Sequence, residues 1–133
     1  MCKIFTLGRL LMVIMLSATS ILPNVAAANG NAANGKKIFN SSMIGKSPAC
    51  HICHSLEPGK KIVGPSLAGI ASDAAGDAKK AGMSTHDMLK QMITDPNAEI
   101  AEGFPANVMP QNFKTELKAK QLDDVVAFLM TLK

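Results

Sequence analysis

Two cysteines and two histidines stand within five consecutive residues of this chain, in the stretch 47–54, SPACHICH. Thiols and imidazoles at such close spacing hold metals or prosthetic groups, or exchange electrons as a dithiol. A zinc ion, a redox-active dithiol and a covalently attached haem would each explain part of the spacing. The rest of the sequence has to distinguish between the three.

Zinc and dithiol chemistry fit the chain poorly. A structural zinc site uses four ligands, usually as two separated pairs, and after the cysteine pair the chain offers only His51, His54 and the distant His86. A redox-active C-x-x-C begins a helix that follows a strand, and no strand pattern precedes Cys50. A disulfide between Cys50 and Cys53 would close a loop too short to stabilise the fold much.

A covalently attached haem accounts for both cysteines and for the histidine that follows them, because C-x-x-C-H is the attachment signature of haem c. On a helical turn Cys50 and Cys53 share one face, from which their sulfurs can add to two vinyl groups along one edge of a porphyrin. His54 then offers an imidazole to the iron, whereas His51 occupies the variable position and is expected to face solvent or the haem edge. We therefore predict one haem, held by two thioethers.

The N-terminus has the layout of a secretory signal. Lys3 and Arg9 precede the apolar run LLMVIMLSATSIL, which leads to three alanines at 26–28. The run is shorter than the about 20 apolar residues that a spanning helix needs, although an uncleaved anchor is the alternative. We expect residues 1–28 to be a cleaved signal peptide and residues 29–133 to form one periplasmic domain without stable membrane insertion. Export agrees with haem c, which bacteria attach outside the cytoplasm.

The composition beyond residue 28 excludes one class of partner. Twelve lysines stand against ten acids, a formal net charge of +2, and no arginine remains for bidentate contacts with phosphates or bases. Nucleic acid is therefore not expected as a partner. The same region has no Trp or Tyr and only four Phe. A domain this small gains from a covalent staple or a bound group at its centre.

Hydrophobic periodicity predicts helices and no strand of useful length. We expect residues 29–34 to be a flexible start and residues 35–39 to end a short helix. Ser84 with Asp87 three residues later predicts a helix start, and Pro96 predicts its stop. The last helix has an apolar face, with Asp123 and Asp124 expected in solvent and with Lys118 at the position where an N-capping residue would stand.

A second axial ligand has to come from elsewhere in the chain. Six methionines follow residue 28: Met43, Met83, Met88, Met92, Met109 and Met130. Core packing is the better interpretation for Met88, Met92 and Met130, which fall on helical patterns. Met109 lies in the loop GFPANVMP, where two prolines stiffen the backbone and a thioether can be aimed at the iron.

These segments, in this order, resemble the monohaem class I cytochromes c of bacterial periplasmic type. The resemblance spans nearly the whole chain beyond residue 28 and rests on the haem motif together with 35–39, GPSL at 64–67, DPN at 95–97, MP at 109–110 and the terminal DDVVAFLMTLK. It implies an all-α fold, the small class I cytochrome c fold, with about four or five short helices and long loops wrapped around one covalently bound haem.

The resemblance also implies residue roles. The cofactor-binding residues would be Cys50, Cys53, His54, Pro65 and Met109, with His54 and Met109 as iron ligands and the Pro65 carbonyl accepting from Nδ1–H of His54. Gly35 and Phe39 would cross the terminal helix near Val125, Phe128 and Leu129. The haem would be lined by Leu67, Ile70, Met88, Met92 and Ile93. Family members often present Trp or Tyr to the haem propionates, and this chain has neither.

The implied function is that of a periplasmic electron carrier and not of an enzyme, because a six-coordinate iron leaves no position for substrate. Expected partners are a redox donor and a redox acceptor, membrane respiratory complexes included, and the expected state is a monomer. Two alternatives stay open: a dedicated haem subunit of a periplasmic oxidoreductase, and a five-coordinate protein for gases or peroxide if Met109 is not a ligand. Six lysines could ring the haem edge and steer an acidic partner: Lys46, Lys60, Lys61, Lys79, Lys80 and Lys114.

Overall fold

The structure, a computed structural model, describes residues 30–133, in which helices dominate. In chain order the elements are α1 (Ala32–Phe39), β1 (Met43–Ile44), β2 (Ser47–Pro48), α2 (Cys50–Cys53), α3 (Ile70–Ala81), α4 (Thr85–Thr94), α5 (Phe113–Glu116) and α6 (Ala119–Leu129). None of the helices within 30–133 is long and apolar enough to cross a membrane. The predicted signal peptide, residues 1–28, lies outside the described residues. The all-α prediction is confirmed for the domain.

The first and last helices cross at a glycine. A Cβ added to Gly35 would collide with the carbonyl oxygen of Asp124 and would lie 2.9 Å from Cβ of Phe128. One turn further along α1, the ring of Phe39 meets that of Phe128 edge-on, with centroids 5.3 Å apart and planes at 63°. The predicted crossing of these helices is confirmed, and it ties the two ends of the domain together.

Helix α1 begins earlier than the sequence predicts. Residues 29–34 were expected to be a flexible start, and for residues 32–34 this is wrong, because the helix begins at Ala32. The side chain of Asn31 caps it by accepting the N–H of Asn34 at 3.0 Å. The N–H of Asn31 in turn donates to Oδ1 of Asp124 at 2.6 Å.

Asp123 and Asp124 of α6 were predicted to face solvent, and this is wrong. Asp124 is only 4% exposed, since it accepts the Asn31 N–H and pairs with Nζ of Lys120 at 3.1 Å. Asp123 is half-buried and pairs with Nζ of Lys90 on α4 at 2.8 Å. The apolar periodicity of α6 could not predict the burial of Asp124, because that burial depends on another helix. The carboxylate accepts an N–H at the N-terminus of α1 and is stabilised by the positive end of the helix dipole.

Helix α6 begins after Lys118, which, as the sequence indicated, is not a usual N-capping residue. Lys118 has no side-chain acceptor to offer, but Oε1 of Gln121 accepts the backbone N–H of Lys118 at 3.0 Å. This bond is the reciprocal half of a capping box, in which the third residue of the helix reaches back to the cap.

Helix α3 was not predicted, whereas α4 was. The buried face of α3 consists of alanines, Ala71, Ala74 and Ala78, which carry little hydrophobic signal. The helix is bounded by glycines in the left-handed region, Gly69 at φ +81° and Gly82 at φ +70°. In α4, Oγ of Ser84 accepts the N–H of Asp87 at 3.1 Å, as the sequence indicated.

A short hairpin leads into the cysteine motif. Strands β1 and β2 pair antiparallel over two residues each, around a turn with Gly45 at φ +57°. The N–H of Ala49, a fully buried residue, donates to the carbonyl of Ser42 at 3.3 Å, and Oγ of Ser47 donates to Oδ1 of Asn112 at 2.8 Å. These bonds fix the direction in which α2 begins.

Candidate functional site

A cavity of about 810 Å³ lies between α2, the loop that follows it (residues 55–69), α4, α6 and a second loop, residues 101–110. All five residues predicted to bind a cofactor line this one cavity: Cys50, Cys53, His54, Pro65 and Met109. Its apolar wall includes Leu67, Ile70, Leu89, Met92, Ile93, Phe113, Val125 and Leu129.

The prediction that Met88 lines the cavity is wrong. Met88 was expected to line the haem, but it is a buried core residue that does not reach the cavity. On α4 the face turned to the cavity carries Leu89, Met92 and Ile93, the i, i+3, i+4 pattern of one helical stripe. Met88 stands one helical step, about 100°, away from Leu89 and therefore packs into the core.

The imidazole of His54 is held by a single strong contact. Its Nδ1 lies 2.9 Å from the carbonyl oxygen of Pro65. A carbonyl oxygen only accepts, so Nδ1 carries the proton and Nε2 keeps its lone pair. Burial, partly opposed by this hydrogen bond, lowers the pKa of His54 below its ordinary value. At neutral pH the ring is therefore neutral, and the lone pair of Nε2 is available to bind a metal.

The Pro65 carbonyl is itself fixed by the backbone around it. The N–H groups of Val63 and Gly64 both donate to the carbonyl of Cys53, at 3.2 Å and 2.8 Å, and the N–H of Leu67 donates to the carbonyl of Ser55 at 2.8 Å. A Cβ at Gly64 would lie 2.6 Å from Cε1 of His54. The absence of a side chain there lets the loop lie flat against the ring.

The two motif cysteines lie one helical turn apart on α2. Both are half-buried and both line the cavity. Burial raises the pKa of the Cys50 thiol to about 11, so before a group is attached this sulfur is protonated at neutral pH. Cys50 and Cys53 form no disulfide bond with each other in the structure.

His51 stands apart from the other motif side chains. It is exposed, its Nδ1 lies 3.2 Å from the carbonyl oxygen of Phe39, and it does not line the cavity. Of the two predicted orientations, the structure has the solvent-facing one. Nor do any three His, Cys, Asp or Glu side chains within 30–133 converge as a metal site would require, so the zinc alternative has no ligand set there.

Only two of the six methionines of the described region line the cavity, Met92 and Met109. Met92 projects from α4 within the stripe that it shares with Leu89 and Ile93. Met109 is half-buried in the 101–110 loop, outside any helix, and packs against the core. Met43 and Met83 are exposed, and Met130 packs on the core elsewhere.

The charged residues along the cavity are acids. Asp73, Asp77, Glu99 and Glu102 line it, and no lysine within 30–133 does. The lysines predicted to ring the haem edge are thus absent from the lining within 30–133, and their placement around the edge stays a prediction. Lys61 contacts the 101–110 loop, since its Nζ lies 5.3 Å from the centroid of the Phe104 ring.

Two thiols on one helical turn, a neutral imidazole and apolar walls around a large cavity fit one covalently attached, flat, mostly apolar group that carries a metal at its centre. The sequence model of the family described as "Cytochrome c" matches residues 32–133. The chain belongs to the cytochrome c family. It is a monohaem class I member, in which Cys50 and Cys53 occupy the positions that attach haem c.

Two cytochromes c2 are similar to this cytochrome c domain. Cytochrome c2 iso-1 of Magnetospirillum fulvum is 33% identical over 94 residues, which cover 63% of this chain and 91% of that protein. Cytochrome c2 iso-2 of Magnetospirillum molischianum is 35% identical over 85 residues, which cover 63% and 88%. The chain is similar to both over most of their length. Electron transport by a haem protein is thus its general role.

Some residues of the cytochrome c site were not singled out from the sequence. Leu89 was predicted to lie on the apolar stripe of α4 with Met92, but it was not predicted to line the haem, as it does the cavity. Phe104 and the acids Asp73 and Glu99 carry no local signal, because their place on the cavity depends on how α3 and the 101–110 loop are packed.

Proposed function

We propose that this cytochrome c is a periplasmic electron carrier, not an enzyme, and that His54 and Met109 are the two axial ligands of its iron. The observation that carries the proposal is the shared cavity, in which a neutral imidazole with a free Nε2 and a loop methionine stand beside the two attachment cysteines.

Met109 is the better of the two candidate thioethers. Met92 is fixed on α4, between Leu89 and Ile93, so that its side chain is one member of an apolar wall. Met109 is free of helical geometry, and Pro110 follows it with a fixed φ. A loop residue can present sulfur to the iron without moving a helix, which supports Met109 as the ligand.

The protein's own residues would set the redox behaviour of the site. A bound haem c supplies a one-electron couple between ferric and ferrous iron. The Pro65 carbonyl orients the His54 ring and raises its basicity. The thioether of Met109 favours the ferrous state, and the apolar wall keeps water away. Neither ligand position would be left open for substrate.

Location and partners belong to the same proposal. A leader of residues 1–28 would direct the chain to the periplasm and be removed there. The mature protein would be a monomer that meets its electron donor and acceptor transiently, through the side of the molecule where the cavity opens.

A fractionation and a redox titration test this proposal together. The full chain, expressed with a cytochrome c assembly system, is expected in the periplasmic fraction with a mature N-terminus near residue 29. Its titration should follow a reversible one-electron curve, and gel filtration should give a monomer. Steady turnover of peroxide by the purified protein, or constant co-purification with an oxidoreductase, would favour one of the two alternatives instead.

A further inference from the structure

The loop that carries Met109 is fastened to the end of α4 by two asparagines. Nδ2 of Asn97 donates to Oδ1 of Asn107 at 2.7 Å, and the backbone N–H of Asn107 donates to Oδ1 of Asn97 at 3.0 Å. The two bonds form a closed ring, which we call the asparagine clasp (Asn97 and Asn107). Asn107 precedes Met109 by two residues.

We propose that Asn97 and Asn107 are positioning residues that keep Met109 within reach of the iron. This inference rests on the proposed role of Met109 as a ligand and deepens it. Both side chains line the cavity, but their hydrogen bonds run to each other, so each would act on Met109 through the course of the loop backbone.

The Asn97 side of the clasp is rigid. Asn97 follows Pro96, a buried residue with a fixed φ, in a turn closed by the N–H of Ala98 on the carbonyl of Asp95 at 3.0 Å. Helix α4, which ends just before this turn, packs against α3 and α6. Asn97 is itself exposed, but it directly follows buried Pro96 at the end of a packed helix and therefore gives the loop an anchor beside the core.

The Asn107 side of the clasp is where the loop changes direction. Asn107 has φ +63° and is the one residue other than glycine with a positive φ among residues 30–133. Asparagine tolerates this region better than most residues, but it still costs free energy that the surroundings have to offset. The bond from its N–H to Asn97 holds that backbone conformation. Beyond the turn, Nε2 of Gln111 donates to the carbonyl of Met109 at 2.8 Å.

The orientation of the Asn97 amide is determined, because the N–H of Asn107 can only donate. Oδ1 of Asn97 must face that N–H, which leaves Nδ2 to donate to the Asn107 side chain. Substitutions can therefore remove the bonds separately. Asn97→Ala removes both. Asn97→Asp keeps the acceptor for the Asn107 N–H, and its second oxygen can accept from Nδ2 of Asn107 once that amide turns over. Asn107→Gly keeps the N–H and tolerates the positive φ, but loses the side-chain acceptor.

The test uses the full-length holoprotein and the rate at which carbon monoxide binds to its ferrous form. Loosening the loop raises the fraction of molecules in which the thioether is away from the iron. We expect Asn97→Ala to bind carbon monoxide about tenfold faster than wild type, the factor that corresponds roughly to the net contribution of the two exposed hydrogen bonds that it removes. Asn107→Gly, which keeps one of the two bonds, should fall between Asn97→Ala and wild type, and Asn97→Asp should bind carbon monoxide no faster than Asn107→Gly. The far-red sulfur-to-iron band of the ferric protein should weaken in the same order.

Two further variants make the outcome decisive. Asn40→Ala removes a comparable exposed bond, from Nδ2 of Asn40 to the carbonyl of Lys36 at 2.8 Å, at the end of α1. It should bind carbon monoxide like wild type, even if its thermal stability falls. Met109→Ala gives the rate for an iron without the thioether.

The positioning inference alone fails if Met109→Ala binds carbon monoxide rapidly while Asn97→Ala matches wild type and Asn40→Ala. Equal rates in wild type and Met109→Ala would overturn both the inference and the ligand proposal beneath it.

Discussion

Nδ1 of His54 lies 2.9 Å from the carbonyl oxygen of Pro65, and His51, three positions earlier, has no place in the cavity. The ring of His54 is thus held at the cavity with Nε2 free, whereas His51 is a surface residue. We predict that His54→Ala abolishes stable holoprotein, whereas His51→Ala leaves the absorption spectrum of the holoprotein nearly unchanged. Haem staining of denaturing gels and absorption spectra measure both. Similar losses in the two variants would contradict the assignment.

Gly64 sets how closely the loop approaches His54. Because a Cβ there would lie 2.6 Å from the ring, Gly64→Ala should displace the imidazole from Pro65. We expect less holoprotein and a lower melting temperature for what forms. Gly76→Ala on α3 is the matched control, since nothing lies within 4 Å of its added Cβ. It should stabilise the protein by up to about 1 kcal/mol, the helix-propensity difference between glycine and alanine. Equal behaviour of the two variants would argue against close contact at Gly64.

The crossing of α1 and α6 depends on Gly35. Gly35→Ala would force the helices apart, because its Cβ would overlap the Asp124 carbonyl. The expected loss in the free energy of unfolding is about 1–3 kcal/mol, typical of overpacked sites. Denaturant titration of the holoprotein, with Gly76→Ala again as control, measures it. An unchanged midpoint for Gly35→Ala would contradict the crossing geometry.

The buried carboxylate of Asp124 makes a pH-dependent contribution to stability. The Asn31 N–H, together with Lys120, holds the pKa of Asp124 below its ordinary value against the opposing effect of burial. Asp124 therefore binds a proton less readily when folded, and its contribution is complete above the unfolded value of about 3.9 and lost as the pH falls through the folded value.

We predict that Asp124→Asn lowers the free energy of unfolding at neutral pH. The difference from wild type should shrink as the pH falls through the acid range, because the wild-type carboxyl then becomes protonated too. Denaturant titrations at a series of pH values follow this difference. A difference that stays constant into strong acid would show that the charge of Asp124 is not what stabilises the helix start.

The sequence predicted the features whose chemistry is local. The C-x-x-C-H spacing, the Ser84 cap and the stripe of α4 each depend on neighbours within one or two turns. The Gly35 crossing was reached through the family resemblance, and the glycine at the contact is confirmed.

Features that depend on distant partners were missed. Helix α3 buries alanines, so its amphipathic pattern is weak. Asp124 is buried because it accepts the backbone N–H of Asn31 at the N-terminus of α1, and these two residues are 93 positions apart in the chain. The acids along the cavity and the Asn97–Asn107 pair come together only when the loops have folded over α3 and α4.

The central claim, that Met109 completes a six-coordinate iron in an electron carrier, is tested most directly by the spectrum of wild-type holoprotein and its response to carbon monoxide. The account predicts a far-red sulfur-to-iron band in the ferric protein and slow carbon monoxide binding in the ferrous one. Met109→Ala should lose the band, bind carbon monoxide rapidly and have a lower potential, while Met92→Leu keeps the band. A wild-type protein that lacks the band and binds carbon monoxide at once would contradict the claim and favour a gas-binding role.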